Sequence, residues 1–489
     1  MHIQENEPVL PSPGSNPWRK LVTRRQVLSA AGKGALAIGA GGALSGLVNS
    51  SAGASPARAA GRSPAASGIN LSFGIEYTTP SPQDAVRKIV INPFLKAHPE
   101  VSAINYTVFN NAGALDSGLK LDFASGTGPD LFDENGPSYM PPFATSHTAM
   151  ELDGFYAKYN LAKRMFPWTV EPNLFKGHYY AVPCEYEGLH LWYNVDIFKK
   201  YGWTVPANYD DILSLGKEIQ SKGLMVFAAG FSDCLPCWEW YHTWALNAQL
   251  GAKGLRQVLT GQRPWTDPMV VTAMENLKQL WDLGFIANKD ASAITYNEHW
   301  TLFGEGKAAM VMEGTWGFGG VSTFFPHINY GIAQLPMWNP LVETITPIGV
   351  GEVMGIHATT KYPALCEEFL ASLCAPTSEK VASELAAELA GIYVPCVPIS
   401  TSAFAPGSTP KLFPQTLATL QKAMAAGKCG YVAWCSWPFA TEAYMYDNLS
   451  SMLLGTITVA DYLKGTQAVF NKDKKAGNLP TCPVPNVTA

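Results

Sequence analysis

A buried strand, a helix and a second strand follow one another between Leu71 and Val108, and that order leaves few folds open. Leu71-Ser72-Phe73-Gly74-Ile75 has the short apolar character of a buried strand. The stretch to about Ala97 carries Val86, Ile89, Val90 and Phe94 on one helical side, and Ala103-Ile104-Asn105-Tyr106-Thr107-Val108 reads as the next strand. Two strands joined by a crossover helix pair in parallel, so the chain is an α/β protein. The alternation goes on. Residues 115–124 predict a short helix, and Gly128-Pro129-Asp130-Leu131-Phe132 starts a strand whose end bears Asp133, Glu134 and Asn135. Asn208 caps a helix that Asp211 favours through the helix dipole, and Asp267 with Pro268 opens another with Val271, Met274, Leu277 and Trp281 inward. Tyr330 to Pro336 predicts a strand, followed by an irregular stretch to Pro347, a strand from Gly351 to Ile356 and a helix opened by Tyr362-Pro363. The last hundred residues are mostly helical, with Gly455 ending one helix and Thr458 capping the next toward Asp461.

At 489 residues the chain is too long for one core, and two domains of roughly 200 residues are expected beyond the amino terminus. The first sixty residues read as an export signal. Thr23-Arg24-Arg25-Gln26-Val27-Leu28 precedes a weakly apolar run to Val48, and small residues lead to Ala57-Arg58-Ala59, a cleavage site of A-x-A type. This resembles a twin-arginine signal; a membrane helix is the competing reading, against which stand Lys33 and the many glycines. No cysteine precedes Cys184, so no lipid anchor is expected at the cleavage site. The expected location is extracytoplasmic, in a periplasm or at the outer cell surface. Cleavage after Ala59 removes Arg19, Lys20, Arg24, Arg25, Lys33 and Arg58 against only Glu5 and Glu7, which makes the net charge of −5 more negative still. Nucleic acid and anionic lipid are poor partners for such a surface.

Nine cysteines in an exported chain permit disulfides, and the odd count leaves at least one unpaired within the chain. Cys234 with Cys237 and Cys429 with Cys435 are the close pairs; connectivity stays open. Cys234-Leu235-Pro236-Cys237 has thioredoxin-type spacing, but it lies mid-chain before an aromatic helix, where a local bridge or two thiols are the alternatives. The nine histidines are scattered, without a metal-binding spacing, and neither a nucleophile elbow nor a phosphate loop occurs. No cofactor or metal is expected.

Two segments carry more. Phe303-Gly304-Glu305-Gly306-Lys307 turns into the apolar run Ala308-Ala309-Met310-Val311-Met312 and ends on Glu313-Gly314-Thr315-Trp316; Gly177-His178-Tyr179-Tyr180-Ala181-Val182-Pro183 leads to Leu191-Trp192-Tyr193-Asn194-Val195-Asp196-Ile197-Phe198. In that order, together with residues 119–130, 330–336, 366–373 and 455–463, they resemble the family 1 extracellular solute-binding proteins of ABC sugar importers, the maltose-binding-protein-like branch. The likeness runs from about Leu71 to Phe470. It implies a two-lobe periplasmic-binding-protein fold of type II with the ligand between lobes joined by a multi-strand hinge. The implied limits are a signal at 1–59, a spacer at 60–68, a first lobe of 69–187 and 344–392, a second of 188–343 and 393–475, and a tail at 476–489. It also implies a monomer that captures a sugar without catalysis and delivers it to the membrane permease.

Position by position, the resemblance places an acidic ligand-binding residue at Glu187, an aromatic one at Trp316, a loop at Asp133, Glu134 and Asn135, another at Glu76 and Tyr77, and a glycine-rich loop at Glu352. The tryptophans frequent in relatives at the loops of Asp133 and Glu352 are missing here. Sugar chemistry supports the set independently: a ring's C–H face needs aromatic plates and its hydroxyl edge needs strong acceptors. Tyr186, Trp238, Trp434 and Trp437 join the candidates as aromatics at strand ends or loops. Each has a plainer alternative, Trp316 as a core plug and Glu187 as a lysine's partner; Trp240 and Trp244 share the spacing of a core face and are left out. A polyamine or peptide would also suit the acids Glu76, Asp133, Glu134 and Glu187. A secreted glycoside hydrolase using Glu134 and Glu187 is the enzymatic alternative.

Overall fold

The computed structural model describes residues 68–486, apart from 77–79, 110–111, 235–236, 326, 390–392 and 405–406. The export-signal reading and Tyr77 lie outside the described residues. From residue 66 onward the chain belongs to one compact unit, built around two sheets.

Strands of the first sheet are β1 (Ile69–Ile75), β2 (Val101–Val108) and β3 (Leu131–Glu134). Two short strands, β4 (Leu174–Phe175) and β5 (His178–Tyr179), form a separate hairpin before β6 (Val182–Pro183). The second sheet holds β7 (Tyr186–Asn194), β8 (Met225–Ala228), β9 (Ala308–Gly314), β10 (Tyr330–Ala333), β11 (Thr346–Val350) and β13 (Cys429–Tyr431), while β12 (Val353–Ile356) returns to the first. The orders are β2-β1-β3-β12-β6 and β13-β11-β7-β9-β8, with β10 also paired to β7.

The parallel pairing expected from strand, helix and strand is present, with Leu71 opposite Ile104 and Phe73 opposite Tyr106. The crossover between them is helical from Pro80 to Ala97, with a wider π turn at Arg87–Ile91. Leu71, Phe73, Ile75, Val86 and Ile91 are fully buried, which is the hydrophobic drive for that layer. Asp130 fastens the layer: its carboxylate accepts from the Ser72 amide at 2.9 Å and from the Ser72 and Thr360 hydroxyls at 2.8 and 2.7 Å. In the second sheet Trp192 of β7 is fully buried against Trp300, Phe318 and Tyr330. The helix starts expected at Asn208, Asp267 and Thr458 are all capped by those side chains.

One element departs from expectation. The sequence places an irregular stretch up to Pro347 and a glycine-rich loop near Gly349, yet Thr346–Val350 forms β11, which pairs with both β13 and β7. It therefore sits in the second sheet, whereas the expected limit at 344 assigned it to the first lobe. Pro347 lies in register with β13 only, because the ladder to β7 starts at Ile348. The chain consequently passes between the lobes at Gly351–Glu352, beside the passage at Cys184–Glu185. These two crossings are hydrogen-bonded antiparallel: Cys184 N to Glu352 O at 2.8 Å and Gly351 N to Glu185 O at 3.1 Å. A third segment joins them through Tyr186 N to Val394 O at 2.8 Å.

The segment 476–486, expected as a tail, is fastened: Cys482 is buried and its carbonyl accepts from Arg256 Nε at 2.9 Å. Cys234 and Cys237 form a local disulfide, and the seven other cysteines are free and buried. Among the described residues no helix is long and apolar enough to cross a membrane.

A second contact between lobes lies at Gly136, just after β3. Its φ is +115°, and an added Cβ would meet the Trp434 carbonyl oxygen at 2.3 Å. Gly136→Ala should therefore lower stability by about 1–3 kcal/mol, the range for overpacking against backbone, as measured by denaturant or thermal unfolding. An unchanged melting profile would show that this close approach is not needed.

Candidate functional site

The ends of strands from both sheets meet at the crossing. β1, β3 and β6 of the first sheet run toward it, and β7 starts from it next to the ends of β9 and β11. Ligands of open α/β sheets collect at such carboxyl ends, and here the chain delivers acids there: Glu76 after β1, Asp133 on β3, Glu185 after β6, Glu187 on β7, Glu313 on β9 and Glu352 before β12.

Backbone amides hold one oxygen of each of two of them. Asp133 Oδ2 accepts from Glu76 N at 3.3 Å, and Glu185 Oε1 from Glu352 N at 3.2 Å. Gly351 makes room: a Cβ there would lie 2.3 Å from Glu185 Oε1 and 2.4 Å from Glu187 Cδ. Burial pushes Asp133, Glu185, Glu187, Glu313 and Glu352 upward. Asp133 is held well above the usual carboxylate range by burial and then by Glu76, and Glu352 by burial, Asp133, Glu76 and Glu187. Glu185 is raised by burial and then by Glu187, whose own value is pushed up to about 8 by burial, the hydrogen bond with Glu185 pulling it down. Two carboxyls this close share a proton. Glu313 touches His299 at 2.7 Å with both fully buried. Burial raises the acid and lowers the histidine to about 3, so this contact is between neutral groups rather than an ion pair.

Aromatic rings border the acids. Trp316, half-buried at the end of β9, lies 5.3 Å from the Trp240 ring and 5.9 Å from that of Trp434. Trp240 in turn packs on Tyr296 at 6.0 Å. The structure thus brings Glu76, Asp133, Glu187 and Glu352 together, and Trp316 with Trp434. It does not bring in the others. Trp238 is buried against Phe231 and Trp281, Trp437 is fully buried against His242 and Trp265, and Tyr186 packs edge-on against Phe166 and Trp168. Glu134 is fully buried, and its neighbouring charges are Asp116 and Lys120 of the helix Ala112–Ser125 together with Asp133. Asn135 is half-buried, one residue past β3. On the helix Cys237–Leu259 the sequence reading chose Trp238 over Trp240; two residues on a helix are about 200° apart, so only one can face Trp316, and it is Trp240.

Sequence reasoning also missed Glu185, Glu313 and a second acidic group. Tyr446 lies 2.9 Å from Glu239 and 2.7 Å from Glu442, and its hydroxyl meets that of Tyr139 at 2.6 Å. Burial raises Glu442 to about 7 and Glu239 well above the usual range. The alternation Glu185-Tyr186-Glu187 was the available signal for the first of these acids. Nothing in spacing marks the rest. Two cavities lie elsewhere, one of about 500 Å³ at Asn194 and Asp196 and one of about 910 Å³ along β10 and Lys428, and neither is lined by these acids. Glu151, Asp153 and His178 could approach a metal ion, but they are exposed, and the hydrogen bond of 2.7 Å between His178 and Asp153 accounts for their meeting.

Known proteins share this architecture. An uncharacterized ABC transporter extracellular-binding protein of Pyrococcus horikoshii is 25% identical over 250 residues, covering 50% of this chain and 55% of that one, so the chain spans about half the length of that relative. A multiple sugar-binding protein of Streptococcus mutans is 25% identical over 313 residues, 60% of this chain and 70% of its own. A solved chitin oligosaccharide binding protein superposes with a TM-score of 0.68 at 18% identity, over 83% of this chain and all of that one, which shows the common two-lobe fold. Residues 79–379 match the model of the family described as bacterial extracellular solute-binding protein, and the chain belongs to that family.

Proposed function

We propose that this protein captures a saccharide outside the cytoplasm, between its two lobes, and presents it to the permease of an ABC importer without transforming it. The observation that carries this reading is the meeting of Trp316 and Trp434 with Glu187 and Glu352 at the crossing: rings for the apolar face of a sugar and strong acceptors for its hydroxyls. The relatives named for sugars favour a saccharide over other solutes. Hydrolysis is not favoured by the placement of Glu134, whose largest charged neighbours are Asp116 and Lys120, with Asp133 third, and which does not figure among the groups that act on Glu187. The protein acts as a monomer in this reading, and Arg24 with Arg25 direct its export.

Ligand should change tryptophan fluorescence and compact the protein in solution scattering, because a solute touching both lobes selects the closed form. Trp316→Ala should lose most of the affinity while the unliganded protein keeps its melting temperature. Glu187→Ala should weaken binding by about 1.5–3 kcal/mol, the worth of a hydrogen bond to a charged group. The saccharide should be recovered intact; products that scale with protein concentration would support a hydrolase instead. Normal binding by a Trp316→Ala protein that melts far lower would make Trp316 a packing residue.

For export, amino-terminal sequencing of the secreted protein should find a start near Ala60, and replacing both Arg24 and Arg25 by lysine should retain the precursor inside the cell. Secretion indifferent to that double substitution would exclude the twin-arginine route.

A further inference from the structure

We infer that the captured ligand is a saccharide bearing an organic cation, an ammonium group placed against the carboxylates of the crossing. The inference rests on the crossing being the ligand site. Its ground is the absence of any compensating charge: among the described residues no ion pair includes Asp133, Glu185, Glu187 or Glu352.

Hydrogen bonding is incomplete in the same place. Asp133 is 0% and Glu185 2% exposed, yet Asp133 Oδ1, Glu185 Oε2 and Glu352 Oε2 have no donor. The partner oxygens, Asp133 Oδ2 and Glu185 Oε1, are those held by backbone amides, and the charges that raise these acids come from other acids of the crossing. Elsewhere the pattern is mixed: both oxygens of buried Glu134 also lack a donor, whereas two other acids are satisfied. Asp473 receives the amide and hydroxyl of Thr441 at 3.0 and 2.8 Å, and Asp130 receives three donors.

A neutral polyol does not explain four acids. Asparagine or glutamine would offer the same carbonyl acceptors to hydroxyls without the cost of burying charge, which is large for an unpaired carboxylate. A cation explains them, since it converts mutual repulsion into attraction at each acid. The rings of Trp316, Trp240 and Trp434 beside the cluster suit an ammonium-bearing sugar as well, because a cation is attracted to an aromatic face.

Without ligand, protons take the place of the cation. The titratable groups facing Glu187 are Glu76 from the end of β1, Glu185, Glu313 from β9, Glu352 before β12 and Glu239 from the helix that starts at Cys237, all of them acids, and Trp434 supplies it with a hydrogen bond. Glu187 is raised from 4.5 to about 8 in the folded protein, so its proton contributes stability that is full below about 4.5 and is lost as the pH rises through about 8. Binding an ammonium group then expels protons from the carboxyls to the buffer.

The test is calorimetric titration of the secreted protein with three probes: the free-amine disaccharide of β-1,4-linked glucosamine, cellobiose, which replaces each ammonium by a hydroxyl, and spermidine. The amine disaccharide should bind at least tenfold more tightly than cellobiose near pH 6.5, with heats that depend on the buffer's ionisation enthalpy because protons are released. Glu187→Gln with Glu352→Gln should abolish both the preference and the release. The same double variant should flatten the fall in the unliganded melting temperature between pH 5 and 8.5, which also checks that it folds. Cellobiose binding as well as the amine overturns the cation and leaves saccharide capture standing. Spermidine binding with neither sugar bound supports the cation and overturns the saccharide reading. Failure of both amine probes overturns the inference.

Discussion

Two backbone hydrogen bonds, Cys184 N to Glu352 O and Gly351 N to Glu185 O, fix the place on which the rest of this protein depends. They bind the two passages of chain between the sheets into an antiparallel pair. Neither passage can slide without breaking the other's register, so relative motion of the lobes must be rotation about these residues rather than shear. The same bonds bring Glu185 and Glu352 side by side, since the amide of one acid is hydrogen-bonded to the carboxylate of the other. Gly351 is needed for this approach, because any side chain there would occupy the position of the Glu185 and Glu187 carboxyls.

Electrostatics then separates this site from the other acids of the chain. Asp130 and Asp473 are acids of the framework, each encircled by amide and hydroxyl donors that tie elements together. The acids of the crossing are surrounded instead by one another and by tryptophan. Groups displaced so far from their ordinary titration range by burial and like charge concentrate where proteins meet ligands. Glu239 and Glu442 form a second such group, but the Tyr446 hydroxyl lies within hydrogen-bond distance of both acids and meets that of Tyr139, so the group is held by phenols rather than by other acids alone.

Much of the scaffold was legible because it follows local rules. Strand periodicity gave β1, β2 and β3, and the caps at Asn208, Asp267 and Thr458 follow from side chains that reach their own helix amides. β11 was hidden because Pro347 and Gly349 look like loop residues, and its strand geometry comes from pairing with distant β7 and β13. The site was legible in part and for a different reason: Glu187, Glu352 and Trp316 came through family likeness, whereas the one mark of Glu185 was its alternation with Glu187. Trp238 and Trp240 show the limit most plainly. Helical spacing says that they face different ways, but which of them faces Trp316 is set by how the helix that starts at Cys237 packs in the folded chain, which no short window contains.

The distribution of the acids between lobes links charge to closure. Glu76 and Asp133 belong to strand ends of the first sheet, whereas Glu187 and Glu313 belong to the second. Any ionised pair across the crossing repels, and the repulsion grows as the lobes approach, because burial lowers the effective dielectric. Closure of the unliganded protein is therefore opposed by its own site unless protons neutralise it. A ligand overcomes this only through contacts it makes in the closed form and lacks in the open one. An aromatic stack on Trp316 adds attraction but leaves the repulsion in place. A positive charge between the two sets of acids removes the repulsion itself, so the group that selects the ligand is also the group that closes the lobes.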